Sequence, residues 1–318
     1  MALVSIVFSF RNEQEVLPLL IRRVSEALQG IPEDMELIFV DDASTDNSVG
    51  TIRALANQVD NLRLVQMSRR FGVEECFFAG LEHAKGDAVV LMYADMQDPP
   101  EVVREMLARW RQGADIVHGV RRRRLGESKA KIVAAHVAYR IINRIAEIPI
   151  PTDAGDFKLI SRVVVNHLLK LRESDPYLRG LIPWVGYTQD YVEYDLQPRA
   201  AGRSHVPLFG RKAWTVFLSG LTSFSMGPIY LILILGVVGT VIVACSMATL
   251  TVVFLFKPVP FWALWLTVAL LLWSTVMLAL GVVGFYVGRI YKDVRGRPRY
   301  IVKKVHDLGR KGSNSAYG

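Results

Sequence analysis

The sequence predicts an α/β domain on a mostly parallel, Rossmann-like sheet, followed by interfacial helices and a hairpin of two membrane helices. Three observations predict it. Short apolar, β-branched runs alternate with helical periodicity through the first third of the chain. Polar clusters follow the strand runs directly, where open α/β sheets bind their ligands. Between Lys212 and Arg289 the only charged residue is Lys257, and a hydrocarbon core about 30 Å thick needs roughly 20 apolar residues at helical rise.

The elements follow in order. Val4 to Phe10 reads as a buried strand, Gln14 to Leu28 as a helix and Glu36 to Val40 as a second strand. Ser48 to Val59 is helical, Leu62 to Gln66 a strand, Glu74 to His83 a helix and Ala88 to Tyr93 a strand. Glu101 to Arg111 and Asp115 to Gly119 add one more helix and strand. This alternation argues for a parallel sheet covered on both faces. The chain divides into a catalytic domain over 1–205, a juxtamembrane amphipathic segment over 206–227, the hairpin over 228–287 and a basic tail over 288–318.

The two spans run from about Pro228 to Phe256 and from about Phe261 to Val287, with Lys257-Pro258-Val259-Pro260 as the turn. Arg211 and Lys212 precede them, and Arg289, Lys292, Arg295, Arg297, Arg299, Lys303 and Lys304 follow. Positive residues gather on the cytoplasmic side. Both ends of the hairpin, the preceding domain and both termini are therefore expected in the cytoplasm. Met1 to Phe8 has no basic n-region and no cleavage-like site, so it does not read as a secretory signal. Ala130 to Ile148, with Lys131, Arg140 and Arg144, and Ala213 to Met226, with Trp214, Phe217 and Phe224, read as helices lying in the interface. For Ala130 to Ile148 an ordinary core helix is the competing reading.

Composition removes other classes. The 318 residues carry a formal net charge of +8 and are 51% hydrophobic, the excess lying in the last third. The basic charge brackets membrane segments, and no nucleic-acid-binding module is recognisable. Its expected partner is the anionic lipid surface. With only Cys76 and Cys245, one of them in a span, no disulfide framework is implied. Neither span contains an ionisable residue that would mark a transport pathway.

The strand ends carry Phe10-Arg11-Asn12-Glu13, Asp41-Asp42-Ala43-Ser44-Thr45-Asp46, Ala94-Asp95-Met96-Gln97-Asp98-Pro99-Pro100 and Gly119-Val120-Arg121-Arg122-Arg123-Arg124. Carboxylates crowded on one edge repel unless a cation is present, and hard oxygen ligands suit Mg²⁺ or Mn²⁺. Helix capping also accounts for Asp41, Asp42 and Asp95, and it is the preferred reading for Asp46. The run Arg121 to Arg124 brings positive charge to the same edge, and for Arg122 to Arg124 a solvated or lipid-facing basic loop is an equally good reading.

With these motifs in order, together with Ser68-Arg69-Arg70-Phe71-Gly72, Ala79-Gly80-Leu81, Gly155-Asp156-Phe157, Trp184-Val185-Gly186-Tyr187 and the two spans, the chain resembles the membrane-anchored polyprenyl-phosphate glycosyltransferases of glycosyltransferase family 2. These include dolichol-phosphate mannose synthases and bacterial undecaprenyl-phosphate sugar transferases. The resemblance implies a GT-A fold and inverting transfer of one sugar from a nucleotide-diphosphate sugar to a polyprenyl phosphate, with Mg²⁺ or Mn²⁺ as cofactor. It implies that Asn12, Glu13, Asp41, Asp42 and Asp95 bind the donor and that Asp95 and Gln97 hold the metal. Arg121, Arg199, Arg203 and Ser204 are then phosphate-binding, and Asp95, Asp156 and Arg121 form the catalytic set. Asp156 orients an arginine or the metal, or positions the sugar, or removes a proton. The family often assembles through its spans, and Gly236, Gly239, Gly281, Gly284 and Gly288 permit the close helix packing of a homo-oligomer.

The chain departs from the family pattern at the donor and acceptor sites. Tyr93 stands where the first Asp of the metal motif is usual, Ala43 replaces a common Gly, Arg70 and Val73 replace an Asn and a Lys, and His205 replaces a Lys. Tyr93 motivates a competing expectation: a paralogue that binds nucleotide sugar or lipid phosphate without turnover. A processive polysaccharide synthase is disfavoured, since the sequence holds no Gln-x-x-Arg-Trp motif and two spans make a poor polymer channel.

Overall fold

The structure is a computed structural model that describes residues 2–124, 154–174, 176–197, 227–254 and 261–309. Its elements are β1 (Leu3–Phe10), α1 (Leu17–Ala27), β2 (Asp34–Asp41), α2 (Ser48–Leu55), β3 (Leu62–Met67), α3 (Val73–His83), β4 (Ala88–Tyr93), α4 (Val102–Arg111) and β5 (Ile116–Arg124). Then come β6 (Ala154–Ser161), α5 (Arg162–Leu168), α6 (Leu178–Trp184), β7 (Gln189–Leu196), α7 (Gly227–Phe254), α8 (Phe261–Val294) and β8 (Val302–Asp307).

The strands form one sheet in the order β7-β5-β6-β4-β1-β2-β3-β8. Its centre, β4-β1-β2-β3, is parallel as expected. The whole sheet is mixed, because β6 runs antiparallel to both β4 and β5, and β8 antiparallel to β3. β1 is buried along nearly its whole length, the signature of a strand covered on both faces. One core, with Phe8 stacked on Phe39, packs α1 and α4 against the sheet, and a second, with Phe77 and Phe78, packs α3, α5 and α6 on the other face. Gly80 lets α3 approach β1: a Cβ there would fall 2.1 Å from Val7 Cγ1.

The expected helix over Gln14 to Leu28 begins later, at Leu17, with Pro18 in the first turn, where its missing N–H costs nothing. β5 requires a larger correction. The strand expected to end at Gly119 continues through Arg121 to Arg124, the last three of which had a basic loop as one reading, and pairs with β7 across a bulge between Arg121 and Arg123. Strand alternation turns Arg121 inward, with its side chain 19% exposed, and leaves Arg122 outside against Glu193 at 3.0 Å.

α7 follows the first expected span as far as Phe254, the last of it lying outside the described residues, and α8 extends the second seven residues beyond Val287. Among the described residues, Val268–Val294 is the one stretch long and apolar enough to cross a membrane by length and composition. The turn at Lys257 to Pro260 and the segments Ala130 to Ile148 and Ala213 to Met226 lie outside the described residues. α7 and α8 pack against each other, and large exposed apolar side chains, such as Trp262 and Trp273, concentrate on them.

The basic tail rejoins the domain. Asp293 Oδ1 accepts from the Ser174 amide at 2.8 Å, the Arg299 guanidinium lies 4.5 Å from the Phe78 ring centroid, and β8 covers the edge of β3. Lys303 and Lys304 thus lie on an edge strand, where lysine discourages further strand pairing.

Candidate active site

β1, β2 and β4 end at one edge of the sheet, where Phe10 pairs with Asp41 and Ser9 with Tyr93. Past each of these ends stands one non-glycine residue in the left-handed region: Asn12 (φ 56), Ala43 (φ 54) and Met96 (φ 62). That conformation costs an L-residue about 1–2 kcal/mol, and such strain clusters at ligand sites. Ala43 lacks the side-chain hydrogen bonds that ease this conformation for Asn. Ala43→Gly is expected to stabilise the protein by about 1 kcal/mol, read as a rise in thermal midpoint. A lower midpoint would show that the methyl group is a packing contact worth more than the strain.

The β1 and β2 loops are knitted together. The Asn12 amide N–H donates to Ser44 Oγ, its side-chain Oδ1 accepts from the Thr45 amide at 2.8 Å, and the Glu13 amide donates to Ser48 Oγ. Asp46 accepts from the amides of Ser48 and Gln14, but the N-cap of α2 is Asn47, so Asp46 ties the β1 and β2 loops together instead of capping the helix as expected. Asp41 Oδ1 accepts from the Ser44 amide at 2.9 Å, and burial pushes its carboxyl up against that hydrogen bond. Asp42 Oδ1 accepts from the amides of Phe71 and Gly72, with Arg70 at 4.0 Å. Asn12 and Asp42 therefore shape the walls of the edge through their own side-chain bonds.

The β4 loop turns on Asp95, whose Oδ1 accepts from the Gln97 amide at 3.2 Å. Next to it Asp98 is 1% exposed, and its Oδ1 accepts from the Tyr194 hydroxyl at 2.5 Å, with Arg121 Nη2 at 3.9 Å. Its other oxygen is buried with no partner among the described residues, and burial, opposed by Arg121 and Tyr194, pushes this carboxyl up to about 6. Arg121 Nε donates to the Tyr194 oxygen, and the guanidinium lies across Gly155, where a Cβ would meet Nη2 at 2.8 Å. Among the described residues no group of three His, Cys, Asp or Glu side chains gathers to hold an ion. Asp95 and Gln97 supply a hard oxygen donor set beside a buried, unpartnered carboxylate oxygen, which fits a Mg²⁺-like ion that takes one or two protein ligands and completes its shell with substrate phosphate and water.

Asp156, 6% exposed near the start of β6, is a heavily bonded carboxylate. Arg179 of α6 donates to it through Nε and Nη2, both at 2.8 Å, and the Tyr93 hydroxyl donates to Oδ2. Burial works to raise its pKa, but the charge and hydrogen bonds of Arg179, with Tyr93 and Lys158, hold it below the usual carboxylate range. Lys158, two residues on, is 1% exposed with no hydrogen-bond partner among the described residues, and burial brings it down to about 8 against the pull of Asp156. Glu74, whose Oε2 accepts from the Leu178 amide, is pushed up to about 8 by burial and the Asp156 charge.

His118 pairs across the strands with Lys158, and its Nε2 lies 2.8 Å from Gln189 Oε1. Burial and the Lys158 charge bring it down to about 4, and Nδ1 has no hydrogen-bond partner among the described residues. Unfolded histidine binds a proton near pH 6.5. Between pH 6.5 and 4 the unfolded chain thus binds more protons, and stability falls as pH drops. His118→Gln is expected to retain about 2 kcal/mol more of its pH 7 stability at pH 5 than the unaltered chain. Melting in detergent at both pH values measures this, and equal losses would contradict a neutral His118.

Asp95, Gln97, Arg121 and Asp156 thus share one edge with the loops of Asn12, Glu13, Asp41 and Asp42. Arg199, Arg203 and Ser204 lie outside the described residues. The sequence reading named Asp98 only within its acidic cluster, without a role, and missed Arg179, Tyr194, Lys158 and Glu74; the charge inside the apolar β6 was the available signal. Trp184 to Tyr187 stand away from this edge, closing α6, with Gly186 (φ 80) as its terminating glycine.

A family model described as glycosyl transferase family 2 matches residues 5–169. The uncharacterized glycosyltransferase YkcC of Bacillus subtilis (strain 168) is 35% identical over 309 residues, 96% of this chain and 95% of that protein. The SfII prophage-derived bactoprenol glucosyl transferase of Shigella flexneri is 36% identical over 306 residues, 95% of this chain and 98% of that protein. A crystal structure of a mycobacterial protein shares the fold at a TM-score of 0.51 and 18% identity, over 70% of this chain and 76% of that one.

Proposed function

The chain belongs to glycosyltransferase family 2, and from that membership we propose that it moves a single sugar, with inversion, from a nucleotide-diphosphate sugar to a polyprenyl phosphate at the cytoplasmic face of the membrane. The observation that carries this reading is the junction of two seats at one edge. The oxygen-rich turn of Asp95 and Gln97 is joined through Asp98 to Arg121, 3.9 Å away. A diphosphate with its cation fits the first seat and a second phosphate the other. Near full-length similarity to relatives named bactoprenol glucosyl transferase supports a lipid phosphate as acceptor.

The residues divide the work. The loops of Asn12, Glu13, Asp41 and Asp42 form the nucleotide wall. Asp95 and Gln97 would hold the divalent cation, which stabilises the negative charge gathering on the departing diphosphate. Arg121, with Arg199, Arg203 and Ser204 from the segment before the membrane, holds phosphate oxygens, the task for which the planar guanidinium is suited. Residues 1–205 make up the catalytic domain, and α7 and α8 anchor it so that its edge meets the lipid head.

The experiment is a transfer assay with the full chain in detergent, undecaprenyl phosphate and a panel of labelled nucleotide sugars, with Mg²⁺, Mn²⁺ or a chelator. Labelled lipid from one donor, lost with chelator, is expected. Nucleotide-sugar binding without labelled lipid from any donor would favour binding without turnover.

A further inference from the structure

We propose that Arg23 of α1 is a positioning residue for the cation seat: its single guanidinium holds Glu101, where the seat's loop ends, and Gln197, which fixes Gln97 within the seat. This rests on the reading, given above, of Asp95 and Gln97 as holders of the donor's cation. The contacts close into a ring. Arg23 donates from Nε to Glu101 Oε1 at 2.7 Å and from Nη2 to Oε2 at 2.9 Å, while Nη1 donates to Gln197 Oε1 at 2.8 Å. Gln197, just past the end of β7, donates its amide N–H to the Gln97 carbonyl at 2.9 Å, and its own carbonyl accepts from Gln97 Nε2 at 3.4 Å. The chain from Gln97 through Pro99 and Pro100 to Glu101 completes the ring, and the two prolines stiffen that side by fixing φ.

A loop that carries an ion needs such support. Met96, between the two cation-holding residues, stands at φ 62, a strained conformation that persists only where the surroundings over-determine it. Gln97 gives its Nε2 to the Gln197 carbonyl, which turns Oε1, the branch able to meet a cation, the other way. Removing a partner that orients a metal ligand lowers metal affinity about 10–100-fold. Folding gains much less from these contacts. The side chains of Arg23 and Glu101 are 25% and 52% exposed, and ion pairs at such exposure contribute little to stability. The arrangement also specifies arginine: three donors on one planar fork serve two partners at once, whereas a lysine ammonium acts as a point charge.

The test is Mn²⁺ binding to the full chain in detergent, by titration calorimetry with and without uridine or guanosine diphosphate, for Arg23→Met, Arg23→Lys, Gln197→Leu and Gln197→Glu, with melting curves for each. The expected result is a Mn²⁺ dissociation constant raised about tenfold in Arg23→Met, Arg23→Lys and Gln197→Leu, with melting midpoints within a few degrees of the unaltered chain. Gln197→Glu keeps an oxygen for Arg23 and is expected to stay within about threefold. Combining Arg23→Met with Gln197→Leu should weaken Mn²⁺ binding no further than Arg23→Met alone, because the Gln197 side chain acts through Arg23. Additive losses would overturn the proposal. So would unchanged Mn²⁺ affinity in Arg23→Met and Gln197→Leu, with or without a lowered midpoint, since that marks a merely structural tie.

Hydrogen exchange provides a second readout that needs no ion. If the unaltered chain binds no Mn²⁺, the cation reading fails, while faster exchange over residues 95–101 in Arg23→Met still supports Arg23 as the holder of that loop. Unchanged exchange over those residues overturns it.

Discussion

Replacing Asp95 by alanine is expected to lower sugar transfer by about a thousandfold while leaving the chain folded. The side chain stands on the turn after β4, where it accepts from the Gln97 amide in a local Asx-type turn. The adjacent Met96 is held at φ 62. Removing the carboxylate takes away a donor to the cation that stabilises the departing diphosphate, and a single lost transition-state stabiliser of this kind costs about a hundred- to a thousandfold. The turn itself needs little from it, since the flanking Ala94, Asp98 and the Pro pair are buried. Transfer assays with melting curves separate the two effects. Transfer within tenfold of the unaltered chain would show that Asp95 holds no cation in the reaction.

Arg121→Met is expected to act on both stability and turnover. The guanidinium lies 3.9 Å from Asp98, and removing one partner of a buried pair costs about 3–5 kcal/mol because the other charge is left uncompensated. Here Asp98, pushed up to about 6, can take a proton instead, so the loss is expected near the lower end, about 3 kcal/mol at pH 7. Transfer should fall at least about a hundredfold, as a charged phosphate contact is gone. Adding Asp98→Asn separates the roles: it is expected to restore most of the stability and none of the transfer. Restored transfer in the double variant would show that Arg121 serves only to neutralise Asp98.

The parallel half of the sheet was legible in the sequence because each of its strands is a buried, β-branched run followed by a polar cluster, and Val4 to Phe10 or Ala88 to Tyr93 could hardly be read otherwise. β5 was cut short at Gly119 because four arginines look like solvated loop; inward and outward alternation against β7 explains them only once the partner strand is known. β8 was hidden by its charge. Lys303 and Lys304 satisfied the topology argument so well that the two valines around them carried no signal. Asp156 was found through its motif, but its neighbours were not: Tyr93 and Arg179 lie 63 and 23 residues away in the chain and meet it only through the antiparallel return of β6 and the placement of α6. Tyr93 read as a defect in a metal motif, and the structure gives its hydroxyl a specific partner.

The central claim, that the edge around Asp95, Arg121 and Asp156 joins a sugar to a lipid phosphate, is tested most directly by mass spectrometry of the lipid. The purified full chain is incubated with undecaprenyl phosphate, a nucleotide sugar and Mg²⁺ or Mn²⁺, and the extracted lipid is weighed. The account predicts undecaprenyl phosphate heavier by one sugar residue, carrying a single phosphate and absent with Asp95→Ala. Unchanged lipid with every donor, or lipid carrying a sugar diphosphate, would contradict it.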